Sequence, residues 1–483
     1  MDKVKKYARF LMIMSGLGGL LYGVDIGCIS QALPYIEATA SYTADQLGLV
    51  VGMVLWGSVL SAFIAGPLAE KFGRKKILIL ATGCFLLSIP VICGSGFFQG
   101  GNYPMLVAGR LLQGAASGLI GVVVPMYLAE CLDAGNRGKG TAMFQLVLTI
   151  GLVFTALVGL VVTTIVGAAI KPADGQVLSP ETYSSWIVAW QTIFWVSAIP
   201  GIVLFIGAFK LKESPRWLYM KGHEKEALES LAANNGEEKA KEILQQIKEA
   251  HEAELVQDAE NKAARKSESV FKKKYILPFL LAVSVLILTQ ATGVNSILNY
   301  SVKIFSQCGM DGTFANWSDL IVKITNVVMT IVAFYLVDRK GRKFLLKLGT
   351  FGIIVGLAGV GAIFFMLDNN MIASNMTSGI IVTIFFFIFI AFYAIGPGVC
   401  VWLALSELMP NRIRANGMAI GMVLNQATSA TIASIFPVWV EGAGMSTVFF
   451  TLAGFTVVFF LIAAFALPET KGKTLEEISK FFE

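Results

Sequence analysis

The sequence predicts an all-α membrane protein with twelve transmembrane helices in two six-helix halves, joined by a cytosolic helical linker. Three observations carry that expectation. Of 483 residues, 55% are hydrophobic and only 14% charged, where a soluble protein carries about 25%. Apolar runs of about 20 residues, each long enough to cross a hydrocarbon core of about 30 Å, recur along the chain. Short polar signals also return in the same order half a chain later, the mark of internal duplication.

In order, the predicted spans are 10–34, 46–68, 77–98, 105–130, 140–165, 187–209, 275–305, 318–337, 345–366, 377–405, 415–438 and 447–467. With the N-terminus placed in the cytoplasm, the 38 Lys and Arg fall almost entirely on one side. Lys171 is the exception, and Arg110, Lys303 and Lys323 lie within spans. That asymmetry sets orientation in a bilayer, so the net charge of +6 flanks helices and does not point to nucleic acid. Both histidines, His223 and His251, lie in the longest polar piece, 210–274. There, Glu224 to Asp258 is rich in good helix formers. The expected domains are a first bundle over 1–209, the linker over 210–274, a second bundle over 275–467 and a cytosolic tail over 468–483. The six cysteines show neither disulfide nor metal spacing. No catalytic cluster falls within the spans, so neither an enzyme nor a cofactor is expected.

The repeated signals fix the architecture. Gly73-Arg74-Lys75 after span two returns as Gly341-Arg342-Lys343 after span eight. Glu130 with Arg137 returns as Glu407 with Arg414, and Glu213-Ser-Pro as Glu469-Thr-Lys. Two halves of common topology are the layout of a transporter whose site lies between them.

Two residues stand out inside the spans. Asp25, the lone carboxylate of span one, costs roughly 2.5–3.5 kcal/mol at mid-membrane on insertion scales and is expected to face a cavity or a partner. Arg110 is the only arginine in a span, on the small-residue stretch Gly114-Ala-Ala-Ser-Gly118. The two are expected to answer each other. A movement that changes their separation would load and unload a proton, because a nearby cation and dehydration act oppositely on a carboxyl.

Span seven holds Thr289-Gln290-Ala-Thr-Gly293-Val-Asn295, followed by Asn299. Thr292, Asn295 and Asn299 share one face, whereas Gln290 would sit about 140° from Asn295 on an ideal helix. A break near Gly293 would bring the two amides together, and broken helices at mid-membrane are where transporter sites form. Gly396-Pro397-Gly398 offers a second break, with Trp402 beyond it. Lys323 follows Asp319 by four residues, which predicts a helical ion pair at the outer rim.

Over nearly its whole length the chain resembles the sugar porter family of the major facilitator superfamily. The likeness is carried by Gly73 to Lys76, Gly109-Arg110 through Pro125 and Glu130 to Arg137, and Glu213 to Trp217. In the second half it is carried by Gln290 through Asn295, Asp338 to Arg342, Gly396-Pro397 through Trp402 to Glu407, and Pro468 to Gly472. The resemblance implies the major facilitator fold and proton-coupled symport of a monosaccharide by alternating access. It implies sugar contacts from Gln145, Gln290, Asn295, Asn299, Asn326, Asn425 and Trp402. Amides suit a hydroxyl rim because each offers both donor and acceptor, and an aromatic plane suits the C–H face. It also implies that Arg74, Glu130, Arg137, Arg342, Glu407 and Arg414 form ion pairs between the halves that gate the cytosolic face. Coupling through Asp25 and Arg110 follows from the same likeness.

The chain departs from the family pattern at Thr289, Asn299 and Gln426, and Tyr22 stands where a phenylalanine is common. The pocket loses aromatic surface and gains short polar groups, so a polyol or inositol symporter is the alternative, with a passive sugar uniporter beside it. The expected partners are a small sugar or polyol, protons and lipid, with the chain working as a monomer. The expected location is a bacterial inner membrane, with both termini cytoplasmic.

Overall fold

The computed structural model describes residues 2–132, 134–169, 178–267, 273–409 and 413–469. Nearly all of them are helical, and no strand occurs among them. Six long helices come first: α1 (Asp2–Thr39), α2 (Ala44–Phe72), α3 (Arg74–Gly94), α4 (Tyr103–Cys131), α5 (Ala134–Val166) and α6 (Pro180–Lys210). The linker contributes α7 (Pro215–Met220), α8 (Glu224–Asn235) and α9 (Glu237–Ser267). The second half contains α10 (Lys273–Ala291), α11 (Val294–Gln307), α12 (Gly312–Lys340), α13 (Arg342–Asp368), α14 (Met376–Ile395), α15 (Pro397–Leu408) and α16 (Arg414–Leu461).

Two predicted spans are broken as expected. Gly293 separates α10 from α11 and Gly396 separates α14 from α15. One pair is joined unexpectedly. The last apolar stretch, Asn416–Ala466, is one run of 51 residues, about 76 Å at 1.5 Å per residue, far more than one crossing needs. Gly444, with φ 81° and ψ 155°, turns the chain inside it, so spans eleven and twelve meet at a single non-helical residue. The described residues therefore give eleven continuous apolar stretches and twelve crossings.

Both halves turn the same corner in the same way. The backbone N–H of Arg74, at the start of α3, donates to Glu213 Oε1 at 2.9 Å. The N–H of Arg342, at the start of α13, donates to Glu469 Oε1 at 3.1 Å. A carboxylate at a helix N-terminus satisfies orphan donors and complements the helix dipole. This is why the Glu213 and Glu469 signals recur at the ends of the two halves.

Small residues set the seams. Gly19, Gly23 and Gly27 form one stripe on α1 against α5, where a Cβ at Gly19 or Gly23 would overlap the carbonyl oxygens of Phe144 and Leu148. Such a stripe lets helix backbones approach closely and fixes which face of α1 looks toward the second half. The linker rests on the first half: Asn234 donates to the Cys131 carbonyl at 2.8 Å, and the Tyr127 hydroxyl to that of Lys212 at 2.6 Å. Leu218, Leu231, Leu244 and Ile247 form a small core of the linker's own. Below, the membrane face that carries the linker is the linker side, and the opposite face is the far side.

Candidate functional site

The first half supplies a buried charge cluster. Arg110 and Asp25 are each 1% exposed. Arg110 donates from Nη1 to Gln113 Oε1 at 2.7 Å and from Nε to the Val50 carbonyl at 3.3 Å. Its guanidinium carbon sits 5.7 Å from the centroid of the Phe194 ring, so it is held by an amide, a carbonyl and a π-face. Asp25 accepts no hydrogen bond at either carboxyl oxygen. Arg110 and Ser117 are its polar neighbours, close enough for electrostatic interaction and not in hydrogen-bond contact. The expected partners therefore share one pocket without a direct ion pair. Ser197, on α6, gives its hydroxyl to the Phe194 carbonyl at 2.5 Å.

The second half supplies an amide cluster at the α10–α11 break. Gly293 adopts φ 79° in the left-handed region, which costs any residue with a Cβ roughly 1–2 kcal/mol. The reversal brings Asn295 Nδ2 within 3.0 Å of Gln290 Oε1, the two side chains an unbroken helix would hold apart. Asn295 Nδ2 also lies 2.7 Å from Ser429 Oγ. Gln290 Nε2 donates to Asn425 Oδ1 at 3.2 Å, and Asn425 Nδ2 donates to the Leu286 carbonyl at 2.9 Å. Asn425 thus spends its amide on aiming Gln290.

The other predicted contacts occupy different settings. Asn299 is 4% exposed with Oδ1 unpartnered, and Asn326 is nearly buried on α12. The Thr289 hydroxyl is turned back onto the Val285 carbonyl at 2.7 Å, which withdraws its donor from a ligand. Tyr22 and Gln426 are half-buried polar neighbours across the two halves. Gln145 is half-buried on α5, and Trp402 is half-exposed beyond the Gly396 break.

The linker-side pairs depart from expectation in one respect. Arg74 Nη2 meets Glu130 Oε1 at 2.7 Å, and Arg342 Nη2 meets Glu407 Oε1 at 3.1 Å. Each pair ties two helices of the same half, so neither bridges the halves as expected. The side chains of Arg137 and Arg414 lie outside the described residues, as does the tail beyond residue 469.

A second correction concerns Asp319 and Lys323. They do pair, at 2.7 Å, but both are fully buried and bonded to α1, so they do not form an exposed rim. Ser30, Gln31, Gln113 and Ser429 also take part in polar contacts, none of them marked by a charge or a motif in the sequence. The signal for Ser429 was its place one turn beyond Asn425. Lys303 has no acid one turn away in its own helix, which points to a partner elsewhere: Glu37 on α1, at 2.8 Å.

Two linked helical bundles with broken helices and buried polar groups facing each other define a secondary transporter of the major facilitator fold. Residues 11–482 match the family model described as "Sugar (and other) transporter", and the chain belongs to that family. The "Probable metabolite transport protein CsbC" of Bacillus subtilis is 31% identical, with 98% of this chain and 95% of that protein covered. The galactose-proton symporter of Escherichia coli is also 31% identical, over 99% and 94%. An inward open structure of the xylose transporter XylE from E. coli superposes with a TM-score of 0.80 at 24% identity, covering 98% of this chain and 99% of that one. The protein is a membrane sugar transporter, not an enzyme.

Proposed function

We propose that the chain carries a monosaccharide, a hexose or pentose, together with a proton, by alternating access between a first bundle over 1–209 and a second over 275–467. Asp25 carries the proton and Arg110 tunes it. The observation that supports this most is the Asp25 carboxyl, buried with both oxygens free beside a cation that is already engaged elsewhere. A static salt bridge would use those oxygens. A site that must take up and release a proton leaves them open, and small changes in distance to Arg110 then shift its occupancy.

The sugar lies against the amide cluster, with Gln290 and Asn295 contacting hydroxyls and Asn425 holding Gln290 in place. Gln145, Asn299, Asn326, Tyr22, Thr289, Gln426 and Trp402 complete the ring around it. Arg74 with Glu130, and Arg342 with Glu407, stiffen the linker-side ends of each half while the halves rock. In this reading the linker side is cytoplasmic and the membrane is the inner membrane of a bacterium. The galactose-proton symporter supports the choice of substrate class and of coupling.

The test is Asp25→Asn in proteoliposomes, assayed with labelled hexoses, pentoses and polyols with and without an imposed pH gradient. One proton falling through 100 mV supplies about 2.3 kcal/mol, enough for about fifty-fold accumulation. The substitution is expected to abolish that accumulation and leave counterflow exchange intact. Unchanged pH-driven uptake would refute the assignment, and accumulation of polyols alone would move the substrate class.

A further inference from the structure

A polar network crosses between the halves on the far side of the amide cluster. Asp319 and Lys323 on α12 are both 0% exposed and 2.7 Å apart. Gln31 Nε2 on α1 donates to Asp319 Oδ2 at 2.6 Å, and Lys323 Nζ donates to Ser30 Oγ on α1 at 2.9 Å. Ser301 on α11 donates to Asp319 Oδ1 at 2.5 Å. Closer to the far surface, the Lys303–Glu37 pair again joins α11 to α1. Beside these, Asn316 Nδ2 reaches Thr163 Oγ1 at 3.2 Å, and Trp56 Nε1 reaches Ser434 Oγ at 3.3 Å. Beyond the Lys303–Glu37 pair lies a cavity of about 880 Å³, lined in part by Glu37, Tyr42, Tyr300, Lys303 and Glu441.

We propose that the Asp319–Lys323 pair, clasped by Ser30 and Gln31, is the far-side gate of the transport path. The inference rests on the alternating-access reading above. The ion pair belongs to one helix, so it survives when α1 withdraws, and neither charge is left without its counter-ion. Of the bonds that hold this ion pair, only two, from Gln31 and to Ser30, cross to the first half. Burying an ion pair carries a desolvation penalty that neighbouring hydrogen bonds must offset. Opening the gate exchanges those two bonds for water, which solvates the pair and relieves that penalty. At this pair the bonds lost are offset in part by the solvation gained, which lowers the cost of opening there. The Lys303–Glu37 pair, which does cross the halves, parts its half-buried charges nearer the surface, whereas the fully buried Asp319–Lys323 pair stays together throughout.

The test uses spin labels at Ser41→Cys and Ala443→Cys, exposed far-side positions on the two halves, in lipid nanodiscs. The native cysteines are buried, except Cys84, which is half-buried. Pulsed dipolar spectroscopy reads the far-side distance in the parent chain, in Gln31→Ala, and in Ser30→Ala with Gln31→Ala. Each variant removes a bond to a charged group and leaves the ion pair whole. Such a bond is worth roughly a tenfold or greater change in an equilibrium. The long-distance population is therefore expected to rise about tenfold relative to the short one in Gln31→Ala, and further in the double variant. If the double variant does not fold, the single one still decides. A distance distribution unchanged by Gln31→Ala overturns the gate. Failure of the Asp25→Asn experiment together with a shifted distance here removes proton coupling and keeps the gate. A parent chain and variants locked at one distance, with no sugar exchange in vesicles, overturn both.

Discussion

Gly293→Ala tests whether the broken span builds the site. Two effects act together. Alanine at φ 79° pays roughly 1–2 kcal/mol for the left-handed backbone, and its Cβ would fall 2.7 Å from Leu452 Cδ1. An unbroken helix is in turn favoured by about 1 kcal/mol when alanine replaces glycine. Joining α10 to α11 would rotate Asn295 about 140° away from Gln290 and undo their 3.0 Å contact. If the bound state needs the break, sugar affinity falls by the combined difference of about 2–3 kcal/mol, about thirty- to a hundred-and-fortyfold. Isothermal titration of the purified transporter with its transported sugar measures this directly. Leu452→Ala in the same chain separates the terms: it removes the clash and leaves the backbone strain, so most of the loss should persist. Affinity within twofold of the parent would refute the claim that the left-handed glycine shapes the site.

Two further substitutions address the frame. Arg74→Ala leaves a nearly buried Glu130 without its cation and should destabilise the chain by about 3 kcal/mol. Arg342→Ala at the more exposed Glu407 pair should do so by less, and thermal unfolding in detergent ranks the two. Lys323→Met strands a fully buried carboxylate and is expected to cost about 3–5 kcal/mol. Adding Asp319→Asn should recover most of that, so thermal shifts that simply add would show that the two charges do not act as a pair.

The fold was legible because its signals are local. Apolar length gives the spans, and Glu213 and Glu469 mark equivalent corners because each sits where the N-terminus of α3 or α13 needs an acceptor. The break at Gly293 was legible for the same reason: a glycine between two amides that an unbroken helix would hold apart is a local contradiction. Partner choice was not. Arg74 and Glu130 were identifiable as linker-side charges, but whether a charge reaches across or within a half depends on helix packing. Burial failed similarly. The i,i+4 spacing showed that Asp319 and Lys323 pair, while their burial depends on α1 lying over them. That placement comes from the Gly19–Gly23–Gly27 seam against α5. Asp25 and Arg110 were each conspicuous by their cost, and only the fold shows that they stop short of touching.

The turn at Gly444 has a mechanical meaning. Between the halves the chain runs through more than sixty residues of linker, enough slack for the bundles to move independently. Between spans eleven and twelve there is one residue and no slack. The segment before that turn carries Asn425 and Ser429, which hydrogen-bond Gln290 and Asn295, and packs against α2 of the opposite half at Gly48 and Gly52. A tilt that starts at the interface between the halves is therefore passed straight into the last span. The two helices meet at a single non-helical residue, and lengthening that turn by a few flexible residues would uncouple their tilts.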